Sequence, residues 1–249
     1  MSFTERFADR AGDYVAGRPS YPAAALDALF DGLGDAEDVL VADLGAGTGI
    51  SSRLLADRGA RVLAIEPNQA MRDAAEAHPR VEWIAGTAEW TGLEEASIDL
   101  VTAFQAFHWF DHGKALNEMV RILRPGGRAA VVYNERDEND SFTAAYGEIV
   151  RAYQTDETER RRADGLEAFA VFEGWHVKRR IEVRNEQPLD LDGVLARARS
   201  TSYLPKTGVK ADELHAAIRT LFAEHEHDGR VVMAMRTIVA TGDVGADGG

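Results

Sequence analysis

Between an apolar run and a helical pattern, Val41-Ala42-Asp43-Leu44-Gly45-Ala46-Gly47-Thr48-Gly49-Ile50 places three glycines in five positions. Glycine removes the side chains that keep a ligand away from the backbone, so a turn of this kind suits a cofactor held at the carboxyl ends of sheet strands. The spacing is G-x-G-x-G, whereas a dinucleotide pyrophosphate is held by G-x-G-x-x-G over a free helix N-terminus. Asp43 adds negative charge just before the turn, which favours a cationic ligand group over a pyrophosphate. Glu66, at the end of the next apolar run, is placed to accept the ribose hydroxyls of either kind of adenosine cofactor. Two further side chains have types that do chemistry. His108 has the unperturbed pKa of a general base, and the competing reading is that His108 and Trp109 pack and anchor the next helix. Arg18, between Tyr14 and Tyr21, suits a bidentate clamp on a substrate carboxylate or, equally, an ion pair that pins the N-terminal segment.

These residues need a frame that sets them at one sheet end. Leu26, Leu29, Phe30 and Leu33 form one helical stripe after Ser20-Tyr21-Pro22, closed by Gly34. Val39 to Ala42 is a continuous apolar run, the pattern of a strand buried on both faces of a parallel sheet. Strands and helices then alternate: a helix at 51–57, a strand at 61–65, a helix at 69–78, a strand at 81–84, a strand at 98–104, a helix from about 114 and a strand at 129–133. The alternation predicts an α/β fold, a doubly wound, mostly parallel sheet. From Glu135 to Trp175 the regularity is lost, and this stretch reads as an insertion holding a helix at 142–153. A strand at 177–183, helices at 191–199 and 212–224 and a strand at 231–240 complete the expected frame. The reading is a single domain over residues 1–245 with an N-terminal lid at 1–20 and an insertion at about 135–175. Residues 241–249, small and acidic, are expected to fray.

Composition bounds the rest. The chain has 249 residues, with 28 Lys+Arg against 42 Asp+Glu, a formal net charge of −14. A nucleic-acid or anionic-membrane binder needs a basic stripe, so neither partner is expected. With no cysteine, disulfides, thiolate metal sites and a cysteine nucleophile are excluded, and no clustered His/Asp pattern predicts a metal. A cytoplasmic protein, a monomer or homodimer, is the expectation.

Taken together, Asp43, Gly45, Gly47, Gly49 and Glu66 resemble the cofactor site of class I S-adenosylmethionine-dependent methyltransferases. Ala64 to Met71 is similar to the family's second motif, Gly86 to Trp90 to its adenine loop, Asp99 to Phe110 to its fourth-strand motif, and Leu123 to Gly127 to the turn before the fifth strand. Tyr14 to Pro22 and His108 to Asp111 are similar to the type 11 small-molecule branch that includes trans-aconitate-methyltransferase-like proteins. The resemblance implies a seven-stranded Rossmann-like sheet in the order 3-2-1-4-5-7-6 and S-adenosyl-L-methionine as the cofactor. It assigns the cofactor to Asp43, Gly45, Ala46, Gly47, Glu66, Pro67, Met71, Thr87, Ala88, Glu89 and Gln105. Within that set Glu66 serves the ribose, Glu89 and Ala88 the adenine, and the Gly45 to Gly47 backbone the methionine moiety. Substrate binding falls to Tyr14, Arg18, Tyr21, His108, Trp109 and Tyr203, with His108 as the catalytic candidate near the transferred methyl. The rival readings are a nicotinamide-dependent oxidoreductase, against which the glycine spacing and Asp43 argue, and a non-catalytic module that keeps the cofactor pocket.

Overall fold

The computed structural model describes residues 20–246. Tyr14, Arg18 and most of the expected lid lie outside the described residues. Along the chain run α1 (Ala23–Phe30), β1 (Leu40–Leu44), α2 (Ile50–Ala56), β2 (Arg61–Ile65), α3 (Gln69–Asp73), β3 (Val81–Ile84), β4 (Ile98–Phe104), α4 (His112–Ile122) and β5 (Leu123–Arg136). There follow α5 (Ser141–Tyr153), α6 (Thr158–Val171), β6 (Val177–Leu189), α7 (Leu191–Ser200), α8 (Val209–His225) and β7 (Val231–Asp243). The strands form one seven-stranded, mostly parallel sheet in the order β3-β2-β1-β4-β5-β7-β6. The doubly wound expectation holds in both class and order.

The apolar runs explain the parallel centre. Val41, Ala42 and Asp43 of β1 pair on one side with Val62, Leu63 and Ala64 of β2 and on the other with Leu100, Val101 and Thr102 of β4. A strand paired on both edges and covered on both faces has no solvated side, so its sequence need not alternate. The first βα turn therefore emerges between two neighbouring strand ends, where a doubly wound sheet binds its ligands.

The chain divides into two compact units. The larger holds Ala23–Tyr133, Glu159–Glu182 and the chain from Ile238 onward; the smaller holds the chain up to Pro22, Asn134–Thr158 and Val183–Thr237. The core of the larger includes Leu44, Ile65, Val101, Phe107, Met119, Tyr133, Phe169 and Trp175. That of the smaller includes Phe142, Tyr146, Val150, Leu195, Leu214, Ile218 and Met235.

Three expectations are corrected. The helix expected at 69–78 ends at Asp73, with Ala74 as its cap, because only Met71 offers a buried apolar side chain to hold it down. The charged stretch after Tyr153 contains α6, whose Leu166 and Phe169 are buried in the larger core; its many charges mask a narrow apolar stripe. The expected frayed tail begins too early, since Thr241, Gly242 and Asp243 belong to β7. Asp243 accepts a bidentate pair from Arg128 at 2.6 and 3.1 Å and a further bond from Arg179 at 3.1 Å, which anchors the strand end.

Candidate functional site

The glycine turn leaves β1 at Leu44 and enters α2 at Ile50. Gly45 and Ala46 donate their N–H groups to the Ile65 carbonyl at 2.8 and 3.1 Å, which ties the turn to the end of β2. Two of its glycines are required by the protein itself. A Cβ on Gly45, where φ is +66°, would lie 2.8 Å from the Ala106 Cβ and 3.1 Å from the Phe110 ring; one on Gly49, φ +77°, would lie 2.8 Å from the Trp83 indole. Close packing and left-handed backbone thus account for them before any ligand is considered. Gly47 is partly exposed, and the Thr48 hydroxyl, buried in the same turn, has no hydrogen-bond partner.

Asp43 is placed otherwise than its charge alone implied. Its carboxylate is fully buried and accepts the hydroxyls of Ser51 and Ser52 on α2, at 2.7 and 2.6 Å, and of Thr102 on β4 at 2.9 Å. It fastens the start of α2 to the sheet and has no surface with which to touch a ligand. Burial pushes its pKa up, against these three hydroxyl bonds. The expectation of direct cofactor contact at Asp43 gives way to a structural role.

Glu66 is the carboxylate that remains available. One of its oxygens accepts the Gly47 N–H at 3.0 Å and the other the Asn68 N–H at 2.9 Å, while Arg72 donates to its carbonyl at 2.6 Å. Two bonds fix the group in orientation, and a carboxylate offers about four acceptor positions, so two are left for a diol. Burial raises its pKa, with the two N–H bonds pulling the other way. Beyond it, Pro67 is exposed and Met71 buried.

The loop after β3 is closed on itself by reciprocal bonds between Thr87 and Trp90 at 3.1 and 3.2 Å. Ala88 is buried, and Glu89 accepts the Asp111 N–H at 2.8 Å, which ties this loop to the start of α4. The sequence reading missed Glu118, which accepts both the N–H and the hydroxyl of Thr91, at 2.9 and 2.6 Å, and pairs with Arg121. Glu118 and Arg121 stand one helical turn apart, a spacing that usually marks an exposed pair, so nothing local betrays their hold on the loop.

Past β4, Gln105 takes a left-handed φ of +53°, which is strained for a non-glycine residue, and its N–H donates to Val132 on β5. His108 follows, buried, its backbone N–H donating to the Tyr133 hydroxyl at 2.9 Å and its ring Nδ1 lying 3.2 Å from the same oxygen. Trp109 packs on the His108 ring at 4.7 Å and receives the Arg161 guanidinium over its face at 5.9 Å. Tyr133 and Arg161 were not expected. One sits at the end of an apolar strand and the other in the charged stretch, and only the fold brings the first to His108 and the second to Trp109. Tyr21 and Tyr203 belong to the smaller unit: Tyr21 helps line an open cavity of about 580 Å³ with Arg184 and Glu186, and Tyr203 is buried in the core with its carbonyl accepting from Thr155. Among the described residues, no group of three or more His, Asp or Glu side chains is arranged to hold a metal ion.

Residues 42–131, which carry the glycine turn, Glu66, the loop after β3 and the His108 segment, match the family description "Methyltransferase domain". Over these residues the chain is similar to the methyltransferase domain family. An uncharacterized methyltransferase of Mycobacterium tuberculosis is 42% identical over 145 residues, 58% of this chain and 58% of that protein. A trans-aconitate 2-methyltransferase of Azoarcus is 41% identical over 96 residues, 36% of this chain and 37% of the relative. A solved structure from Anaeromyxobacter dehalogenans, provisionally assigned as a type II methyltransferase, is 25% identical with a TM-score of 0.67, over 92% of this chain and 98% of that one. The chain thus aligns with less than two thirds of the length of the curated relatives first matched, 58% of the Mycobacterium protein.

Proposed function

We propose that this protein transfers a methyl group from S-adenosylmethionine to a small molecule in the cytoplasm, and that the accepting atom is a carboxylate or hydroxyl oxygen. The observation that carries the reading is Glu66, a carboxylate held by two backbone N–H groups at the end of β2 with two acceptor positions to spare, beside the partly exposed Gly47. That arrangement fits a ribose diol. The buried, unpartnered Thr48 hydroxyl adds a polar group to the same turn. When bound, the sulfonium supplies an already activated methyl, and S-adenosylhomocysteine is the product that leaves. The protein's own part is alignment and exclusion of water, which can account for much of the rate.

Glu66 orients the ribose, the Gly45 to Gly47 backbone lies along the methionine moiety, and the Thr87 to Glu89 loop with Met71 borders the adenine. His108 has two forms open to it. With Nδ1–H donating to the Tyr133 oxygen, Nε2 carries the lone pair that would take a proton from a hydroxyl acceptor. With the Tyr133 O–H donating to Nδ1, Nε2 carries the proton and acts as a donor. A carboxylate acceptor needs no base, and either form then serves to position it.

The reading is tested by incubating the protein with S-adenosylmethionine and a panel of small carboxylates and alcohols. The panel includes trans-aconitate, because the Azoarcus relative is named for it, and release of S-adenosylhomocysteine is followed. Turnover with an oxygen acceptor supports the proposal. Binding of S-adenosylhomocysteine without turnover on any acceptor favours a non-catalytic module, and no binding at all removes the reading.

A further inference from the structure

β6 is the last strand in the sheet order, so one of its edges is paired by no described strand, and that edge runs for 13 residues, Val177–Leu189. A strand edge presents a row of backbone N–H and C=O groups that another extended strand can pair with, and charged side chains are the usual guard against it. The guard on β6 has a pattern. Arg180, Glu182, Arg184 and Glu186 alternate in sign and are all exposed. Arg180 donates to Glu182 at 2.9 Å and Arg184 to Glu186 at 2.9 Å, contacts that place the members of each pair on one face of the strand. The Ser20 carbonyl accepts from Asn134 on β5 at 3.3 Å and from Asn185 at 2.9 Å, so the chain before α1 lies there against a face of the sheet and not along the β6 edge.

We propose that β6 is an interface with a second copy of this chain, the two strands pairing antiparallel about a twofold axis at Val183. Directly opposite residues of an antiparallel pair share a face, so a twofold axis perpendicular to the sheet brings only residues of the same parity together. In the register that overlaps all 13 residues of β6, Arg180 lies opposite Glu186 of the second copy and Glu182 opposite Arg184 of the second copy, and the axis repeats both pairings. Each of these charges then has the opposite sign beside it along its own strand and across from it. Sliding the copy by two residues one way sets Glu182 against Glu182 and Arg180 against Arg184; the other way it sets Arg184 against Arg184 and Glu182 against Glu186. Like charges directly opposite are destabilising, so full overlap and charge complementarity coincide in one register. The charges that guard the edge against an arbitrary strand thus admit this chain's own. The glycine turn, Glu66 and His108 take no part, and the association stands apart from the methyl-transfer reading.

The experiment is sedimentation velocity of the full chain over a concentration series, with cysteine crosslinking to fix the register. A reversible dimer is expected. Arg180→Glu sets like charges against Glu186 of the second copy, and Glu186→Arg sets them against Arg180 of the second copy, so each alone is expected to weaken the dimer about tenfold or more. An equimolar mixture of the two variants restores both cross-strand pairs and is expected to associate, which also shows that both are folded. Lys178→Gln, opposite Pro188 of the second copy, is expected to leave the dimer unchanged. The chain has no cysteine, so a single introduced thiol reports its own position. At the axis the two Cα atoms of residue 183 stand about 4.5 to 5.5 Å apart, within disulfide reach, whereas those of residue 181 are offset along the strands by about 13 Å. Under a mild oxidant Val183→Cys is therefore expected to give a disulfide-linked dimer far faster than Ile181→Cys. Three results overturn the proposal: the protein stays monomeric at every concentration, a dimer forms that the single charge reversals do not weaken or their mixture does not restore, or Ile181→Cys crosslinks as readily as Val183→Cys.

Discussion

Asp43 and Glu66 are both buried carboxylates at strand ends, and their partners give them opposite relations to a ligand. Three hydroxyls take most of the acceptor positions of Asp43 and its burial closes off the rest, so Asp43→Ala leaves several buried groups unpartnered. A loss of about 3 kcal/mol or more in urea unfolding is expected, present without any ligand; an unchanged free protein would refute the structural role. Glu66→Gln keeps one acceptor oxygen and puts an amide N–H₂ where the other N–H donor points. Affinity for S-adenosylhomocysteine should fall by about 10- to 100-fold, roughly 1.4 to 2.7 kcal/mol, and equal titrations of the two proteins would take Glu66 off the ribose. For His108, the general-base role and the packing role separate by rate. His108→Ala should cut the rate on a hydroxyl acceptor by about 10²-fold or more if the ring accepts the proton, whereas an unchanged rate with altered acceptor preference assigns it to positioning. Glu118 gives the pH dependence at this scale. Burial pushes it up, but Arg121 and the Thr91 hydroxyl and N–H override that and hold it at about 2, below its usual 4.5. A lowered carboxyl pKa stabilises the fold fully above the unfolded value, and the benefit is lost as the pH falls from about 4.5 toward about 2. The melting difference between wild type and Glu118→Gln should therefore be large at neutral pH and shrink across that window; a constant difference would show that charge plays no part.

At the scale of elements, the glycine turn joins β1, β2, β3 and α2 through steric fit as much as through hydrogen bonds. Gly49→Ala forces a side chain onto a left-handed residue and against the Trp83 ring. A destabilisation of about 2 to 3 kcal/mol is expected, of which the backbone part is about 1 to 2 kcal/mol. Adding Trp83→Leu should recover the steric part alone, and full recovery would mean that the backbone is unstrained. The turn was legible in the sequence because its residues are consecutive. Its two steric requirements were not, because Ala106, Phe110 and Trp83 come from other segments. The same reason hid α6: its apolar face is narrow, and only the Phe107 and Trp175 rings, at 6.0 and 5.2 Å from Phe169, give that face something to pack on. The helix at 69–78 was read too long for the converse reason, since a helical pattern without a core to bury against is not extended by propensity alone.

At the scale of the whole molecule, the net charge of −14 argues for a small ligand over a polyanion. Thermal unfolding with S-adenosylhomocysteine at about 100 times its dissociation constant should add about 2.7 kcal/mol of stability, with no shift from NAD at the same concentration; a shift with NAD alone would reverse the cofactor assignment. Among the described residues no helix is long and apolar enough to cross a membrane. The sequence by itself determined the alternation of strands and helices, the order of the parallel strands through the family likeness, the glycine turn and Glu66, because each is written in residues adjacent along the chain or at a fixed period. Tertiary structure alone decided that Asp43 serves the fold, that Tyr133 stands by His108 and Arg161 over Trp109, that Glu118 holds the loop after β3, and that the Tyr146 hydroxyl is left without a partner. Those facts depend on burial and on contacts between side chains far apart in the chain, and a hydrogen bond or a desolvated group exists only once packing has brought its surroundings together.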